Sequence, residues 1–215
     1  MVIQWYGHSC FKITSGELVL AIDPYAKEIG LTPPRFRSDL VLVTHSHSDH
    51  SNTDALAGEP FIISGPGEYE VRGISIQGID TYHDAVRGRE RGRNTIYRLV
   101  LEDITLLHLG DFGENEMRDE TLEAAGDVDI LMIPVGGKYT LDAAAAAKVV
   151  KQIEPRVVIP MHYKIPGLTL PLENADPFLK ETGAAKIEPQ EKLTLRKKDL
   201  TEGEKTRVIL LTPAR

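Results

Sequence analysis

The chain is nearly without cysteine. Cys10 is the only one in 215 residues, which excludes an internal disulfide, a CxxC redox pair and a zinc site built from thiolates. Long apolar runs are also missing. The longest uncharged one, Ile130 to Gly137, is far short of the ~20 residues of a membrane span. No basic segment followed by an apolar one opens the chain, so no secretion signal is expected and the reading is cytoplasmic. A basic balance is absent as well: 25 Lys and Arg stand against 32 Asp and Glu, for a net charge of −7. That argues against a binder of long nucleic acids. Neither a Gly-x-Ser-x-Gly nucleophile elbow nor a phosphate loop occurs, since Ser64-Gly65-Pro66-Gly67 lacks the Lys and Ser/Thr that would follow. No repeat, low-complexity tract or Ser/Gly linker divides the chain, and residues 1–215 read as one domain.

What is present is a series of short alternating elements. Strand-like runs cover Val2 to Tyr6, Cys10 to Ile13, Leu18 to Ile22, Leu40 to Thr44, Phe61 to Ile63, Tyr69 to Arg72 and Ile74 to Tyr82. Thr95 to Leu101 and Ile104 to Leu109 form a hairpin pattern around Glu102-Asp103. Asn115 to Ala125 reads as a helix stopped by Gly126, and Leu141 to Ile153 as an alanine-rich helix ending before Pro155. Val128 to Val135 and Val157 to Met161 are apolar strands. Pro177 to Thr182 is a short helix, and Val208 to Leu211 a closing strand. The pattern predicts an α/β or α+β domain of layered sheets with helices outside.

Three of the seven histidines fall within six residues, in His45-Ser46-His47-Ser48-Asp49-His50, just after the run Leu40 to Thr44. Side chains of an extended segment alternate faces, so His45 and His47 point the same way and can share a metal ion. Asp49 and His50 lie past the strand end, where a turn lets them face a second ion. Imidazole with carboxylate suits Zn²⁺, with Mn²⁺, Fe²⁺ or Ni²⁺ as alternatives. Two close ions need more donors, and His83, Asp111 and His162 each stand at the C-terminal edge of a strand-like run, as His45 does. Converging strand ends hold ligands to the tolerance a metal site needs. His8 and Asp23 also follow apolar runs and are candidates to orient a ligand by a hydrogen bond. His108, inside an apolar strand, reads as a buried histidine satisfied by one hydrogen bond.

Thr-His-Ser-His-Ser-Asp-His at 44–50 resembles the HxHxDH signature of the metallo-β-lactamase superfamily, and His83, Gly110-Asp111 and His162 follow in that family's order. Tyr6-Gly7-His8-Ser9, Ile22-Asp23-Pro24, Tyr82-His83-Asp84, His108-Leu109-Gly110-Asp111, Pro134-Val135-Gly136-Gly137 and Pro160-Met161-His162-Tyr163 resemble the branch that holds L-ascorbate-6-phosphate lactonases and related metal-dependent hydrolases. The likeness runs from residue 2 to about 165. It implies a four-layer αββα sandwich with two divalent ions at one edge. His45, His47 and His83 would hold the first ion, Asp49, His50 and His162 the second, and Asp111 would bridge them. The expected activity is hydrolysis of a small anionic ester, lactone or phosphoester by a hydroxide shared between two ions, Zn²⁺ first and Mn²⁺ as the alternative. Asp49 would hold the nucleophile and carry its proton to the leaving group.

The alternatives are a nuclease or cyclic-nucleotide phosphodiesterase on the same ions, or a non-catalytic metal-binding scaffold. The long insertion of the nucleic-acid-processing members is missing. The histidine at 47 argues against a redox di-iron site, where the family generally has Glu. Of the basic stretch 87–93, Arg89 and Arg91 are candidates to pair with a substrate phosphate or carboxylate. Gly136 and Gly137 would line the pocket or make a tight turn. The partner expected is a small molecule, with neither membrane nor long nucleic acid, and a homo-oligomer remains open.

Overall fold

A computed structural model describes residues 1–200 and 205–214. Along the chain run β1 (Val2–Gly7), β2 (Cys10–Ser15), β3 (Leu18–Ile22), β4 (Leu40–Val43), β5 (Phe61–Ser64), β6 (Gly67–Val71), β7 (Ile74–Tyr82), β8 (Arg93–Leu101) and β9 (Ile104–His108). There follow α1 (Asp119–Ala125), β10 (Ile130–Pro134), α2 (Ala143–Ile153), β11 (Val157–Met161), α3 (Asp176–Glu181), β12 (Leu193–Thr194) and β13 (Arg207–Val208). Two mixed sheets result, one of order β12-β1-β2-β3-β4-β5 and one of order β13-β11-β10-β9-β8-β7-β6. They face each other across a continuous core that includes Trp5, Phe11, Leu42, Tyr97, Leu107, Ile133 and Phe178, all fully buried. This is the α+β sandwich expected of the metallo-β-lactamase fold.

Each sheet is antiparallel where the chain turns tightly and parallel where it crosses over. β4 is parallel to β3 and to β5, and β10 is parallel to β9 and to β11. Parallel neighbours place their C-terminal ends at one edge, so the loops leaving β3, β4, β9 and β10 gather there. β4 is buried along its whole length. Leu40 and Leu42 enter the main core, while Val41 and Val43 pack with Ala21, Leu56 and Phe36 on the outer face. The helices α1 and α2 lie against the seven-stranded sheet, α2 also packing on α3. The outer face of the other sheet is covered by loops with single 3₁₀ turns at Lys27–Ile29 and Thr53–Ala55. That face carries Gln4, Lys12 and Thr14 beside only a small apolar cluster, so it presents little surface for a full helix to bury.

Two boundaries differ from the sequence reading by more than two residues, and one short strand was not expected. The first helix begins at Asp119 rather than Asn115, because Glu114 is committed outside it, accepting from the Tyr82 N–H at 3.1 Å and from Arg118 Nε at 2.9 Å. The closing strand is only Arg207–Val208. Beyond it the backbone leaves the ladder, and Leu211 pairs with Gln190 instead. The two-residue β12 is too short to show a period in the sequence. Among the described residues no helix is long and apolar enough to cross a membrane.

Tyr97 fixes one sheet against the other. Its hydroxyl donates to the Val43 carbonyl at 2.9 Å and accepts from the Gly65 N–H at 2.9 Å, holding the end of β4 from β8. Burial raises its pKa further above the ordinary tyrosine value, so it remains a donor. Tyr97→Phe should lower stability by about 1–2 kcal/mol, because two backbone groups lose a partner. In thermal denaturation this amounts to a drop of roughly 3–6 °C in Tm.

Candidate metal centre

Nine histidine and aspartate side chains converge at the edge where the crossover strands end. β3 delivers Asp23, β4 leads into His45–His50, β7 ends next to His83, β9 leads to Asp111 and β11 to His162. His8 comes from the turn between β1 and β2. Asp23, His8 and His162 all have left-handed backbones, with φ of 48°, 52° and 52°. Such conformations are unfavourable for residues with a Cβ and gather where geometry serves function.

Asp23 organises the cluster. Its carboxylate is fully buried and accepts from the Thr44 N–H at 2.8 Å, the Thr44 hydroxyl at 2.8 Å and His50 Nδ1–H at 2.9 Å. Having given its only hydrogen to Asp23, the Thr44 hydroxyl accepts from His45 Nδ1–H at 3.0 Å. Both imidazoles therefore turn Nε2 inward, that of His45 without a hydrogen-bond partner and that of His50 towards Asp111. Burial opposes the charge on Asp23, but His50 close by outweighs it and holds the carboxyl below its usual range.

Asp111 lies at the middle, buried and ionised, its pKa well below the usual range because His162 and His50 outweigh burial. His50 Nε2 lies 3.2 Å from Asp111 Oδ1, while His83 Nε2 and His162 Nε2 lie 3.1 and 3.3 Å from Oδ2. Asn94 Oδ1 accepts from the Asp111 N–H at 3.0 Å, and its amide donates to Thr81 Oγ1 and the Leu109 carbonyl. Gly110, at φ 53°, brings the chain so close that a Cβ there would meet Asn94 Oδ1 at 2.5 Å.

Three sets of donors have their ligand atoms within 4.8 Å of one another: His45, His47 and His83; His45, His50 and Asp111; and His8, His50 and His162. His45 Nε2, His8 Nδ1, His83 Nδ1, Asp111 Oδ1 and both ring nitrogens of His162 are buried without a hydrogen-bond partner. Leaving one such atom unsatisfied costs about 1–3 kcal/mol. So many at one point, all nitrogen and oxygen donors, fit divalent cations of the zinc or manganese type. Burial, with His162 as the next cause, lowers the His8 pKa to about 4, and burial with His50 lowers that of His45 to about 3. Both are thus neutral, as a metal donor must be. His50 is the exception. Asp111 and Asp23 overcome the burial penalty and push it well above the usual value.

The other candidates separate. Arg91 lines a cavity of about 660 Å³ that opens onto His45 and His47 and is also bordered by Ile62, Pro66 and Arg93. Its guanidinium stacks 4.3 Å from the Tyr139 ring centroid. Arg89 does not line this cavity: it curls back and donates Nε to the Val86 carbonyl at 3.1 Å. Gly136 and Gly137 do not line the cavity either. A Cβ on Gly136 would stand 2.2 Å from the His162 carbonyl, so this glycine lets the chain pass behind His162. Gly137, at φ 76°, makes the turn closed by its N–H on Leu141 O at 3.0 Å. His108 is buried as expected but makes two hydrogen bonds, donating Nε2–H to Ser9 O at 3.0 Å and accepting from the Gly110 N–H at 3.1 Å.

Sequence reading missed the supports. Asp84 accepts from the N–H groups of Val86, Gly88, Glu90 and Arg91 at 2.7–3.0 Å, which shapes the loop carrying Arg91. These bonds outweigh burial and hold its carboxyl below the usual range. The signal was a lone acid before a glycine-rich basic stretch. Asn94 and Thr44, polar residues at the ends of apolar strands, carried a similar signal.

A sandwich of this topology, with imidazoles and carboxylates meeting at the strand ends, defines a class of metal-binding domain. Residues 2–162 match the family model described as the β-lactamase superfamily domain, and the chain belongs to the metallo-β-lactamase superfamily. It is 34% identical over 204 residues to a UPF0173 metal-dependent hydrolase of Thermoplasma acidophilum, covering 81% of this chain and 87% of the relative. To one of Pyrococcus horikoshii it is 30% identical over 206 residues, covering 81% and 88%. A crystal structure from Thermotoga maritima, assigned to the zinc-dependent hydrolases of the superfamily, has a TM-score of 0.77 at 29% identity, covering 98% of this chain and 99% of that one.

Asp23→Asn removes the charge that sets two imidazole orientations. It should weaken cation binding by about 10–100-fold, read by competition with a chelating dye. The circular dichroism spectrum should stay that of the wild type.

Proposed function

We propose that this chain is a metal-dependent hydrolase of small anionic esters, lactones or phosphoesters. The observation that carries the reading is the meeting of the imidazole groups around buried Asp111, with the Arg91 cavity opening onto one of them. His45, His47 and His83 would hold one cation. His50 and His162, with Asp49 beside them, would hold the other, and Asp111 would lie between. Divalent cations in such a site bring the pKa of water towards neutrality and withdraw charge from the electrophilic centre.

The protein's own groups do the rest. Asp49 Oδ2 lies 3.2 Å from His8 Nε2, and its side chain is 24% exposed. Burial opposes its charge, but the His8 hydrogen bond and His50 outweigh that and hold the carboxyl well below the usual range. It is therefore ionised at neutral pH and can accept a hydrogen bond from the attacking water, holding it in line. Arg91 offers a planar cation to a phosphate or carboxylate at the cavity wall. Arg93 is matched by Asp80, to which it donates. Ile62, exposed on edge strand β5, gives the same cavity an apolar wall. The ligand that fits carries an anion on one side and a short apolar part on the other.

A panel of phosphoesters, lactones, simple esters and cyclic nucleotides, assayed with Zn²⁺ or Mn²⁺, tests the reading. Turnover should vanish with chelator and return with the cation. A purified chain that binds fewer than one cation after reloading would point to a scaffold instead. His47→Ala and Asp49→Ala should each lower kcat/KM by ~10²-fold or more while leaving the fold intact. Arg91→Gln should raise KM for anionic substrates by roughly fivefold, as for loss of an exposed ion pair of ~1 kcal/mol. KM for neutral substrates should not change, and Arg89→Gln should be without effect on either.

A further inference from the structure

We propose that this chain carries a second binding site, apart from the metal centre, that takes a small amphiphilic monoanion: an aromatic or short aliphatic body ending in one carboxylate or sulfonate. The proposal does not depend on the cation-binding reading above.

The site is a cavity of about 600 Å³ walled mainly by Tyr6, Tyr25, Leu31, Ile165 and Pro213, with Arg35 on its border. Cavities that hold drug-sized molecules measure about 300–1,000 Å³. It shares no lining residue with the Arg91 cavity, and none of the metal donors borders it.

The sequence makes this wall apolar and stiff. Pro33, Pro166 and Pro213 carry no N–H and have a fixed φ, so three separate segments contribute surface without a donor to satisfy. The Tyr25 hydroxyl is already committed. It donates to the Tyr6 carbonyl at 2.7 Å, with the Thr32 carbonyl at 3.1 Å as its alternative. The Tyr25 ring is thus left to offer apolar surface. Tyr6 stacks on Phe36, with ring centroids 4.8 Å apart. Leu31 and Ile165 meet over Gly7, where an added Cβ would stand 3.1 and 3.2 Å from their Cδ1 atoms. The Ala214 N–H donates to the Trp5 carbonyl at 2.7 Å and holds the last part of the wall. The cavity is therefore formed before a ligand arrives, and little ordering entropy opposes binding.

Charge decides the class of ligand. Arg35 is exposed and, among the described residues, is the one charged group bordering the cavity. Among those residues it has neither an ion pair nor a hydrogen bond. No acid borders the cavity, in a chain whose net charge is −7. An apolar wall with a single unmatched guanidinium fits a ligand with an apolar body and one anionic end. A second charge on the ligand would lie unpaired against Leu31, Pro33 and Ile165, at a desolvation cost.

Anilinonaphthalene sulfonate, an aromatic monoanion that fluoresces in apolar surroundings, is the probe. Titrated into the full chain, it should bind saturably at one molecule per chain, and a chelator should leave its affinity unchanged. Arg35→Gln, an exposed substitution, should weaken it by about fivefold, as for loss of one exposed ion pair. Uncharged phenylnaphthylamine should bind wild type and Arg35→Gln within about twofold of each other. In methyl NMR of the wild type, the sulfonate should shift Leu31 and Ile165 and leave Ile62, in the Arg91 cavity, unmoved. Absence of saturable binding overturns the proposal. So does an Arg35→Gln effect that is nil, or equal for the two probes. Shifts at Ile62 as large as those at Leu31 and Ile165 also overturn it. Loss of binding with chelator would place the anion on a bound cation, which refutes the second site while leaving the hydrolase reading intact.

Discussion

The arrangement depends on one buried carboxylate. Asp23 is out of reach of water and ionised, which is tolerable only because its oxygens receive three hydrogen bonds from Thr44 and His50. Those bonds join the end of β3, the end of β4 and the far side of the histidine loop. Through Thr44 the same charge also sets His45. One acid therefore chooses the tautomer of an imidazole in each of two donor groups, and both present Nε2 to the interior.

The fold makes this convergence affordable in strain. Parallel strands end at a common edge, so residues distant in sequence need only follow a strand to meet. Asp111 and His50, 61 positions apart by their numbers, come within 3.2 Å. Rigid strand ends hold the donors, and the less regular backbone is confined to single residues. His8, Asp23 and His162 carry the left-handed conformations, and Gly110 and Gly136 allow close passages that a Cβ would block. The loop wrapped around Asp84 supplies a wall of the adjoining cavity with Arg91.

Much of this was legible beforehand. The apolar run Leu40 to Thr44, followed by alternating histidines, told of a buried strand ending in a donor loop. His83, Asp111 and His162 at the ends of other runs told of convergence. Local boundaries failed where side chains far along the chain decide them, as with Glu114 committed to Tyr82 and Arg118 ahead of the first helix. Arg89 and Arg91 were inseparable in sequence because both sit in the same basic stretch. They part only because Asp84 winds the loop so that one guanidinium bonds its own backbone while the other meets Tyr139.

The sequence by itself determined the chemistry: a single thiol and a set of histidines and aspartates at strand ends leave imidazole and carboxylate as the donors. It also determined the class of fold, since residue periodicity sets which face of each element is buried. Only the tertiary structure decided the partnerships. That His8 stands beside both Asp49 and His50, that Gly136 serves the backbone behind His162, and that Arg91 alone of its pair lines the cavity are distances across the chain. Periodicity fixes the side on which a residue lies, whereas closure of two sheets on one core fixes which residue it faces.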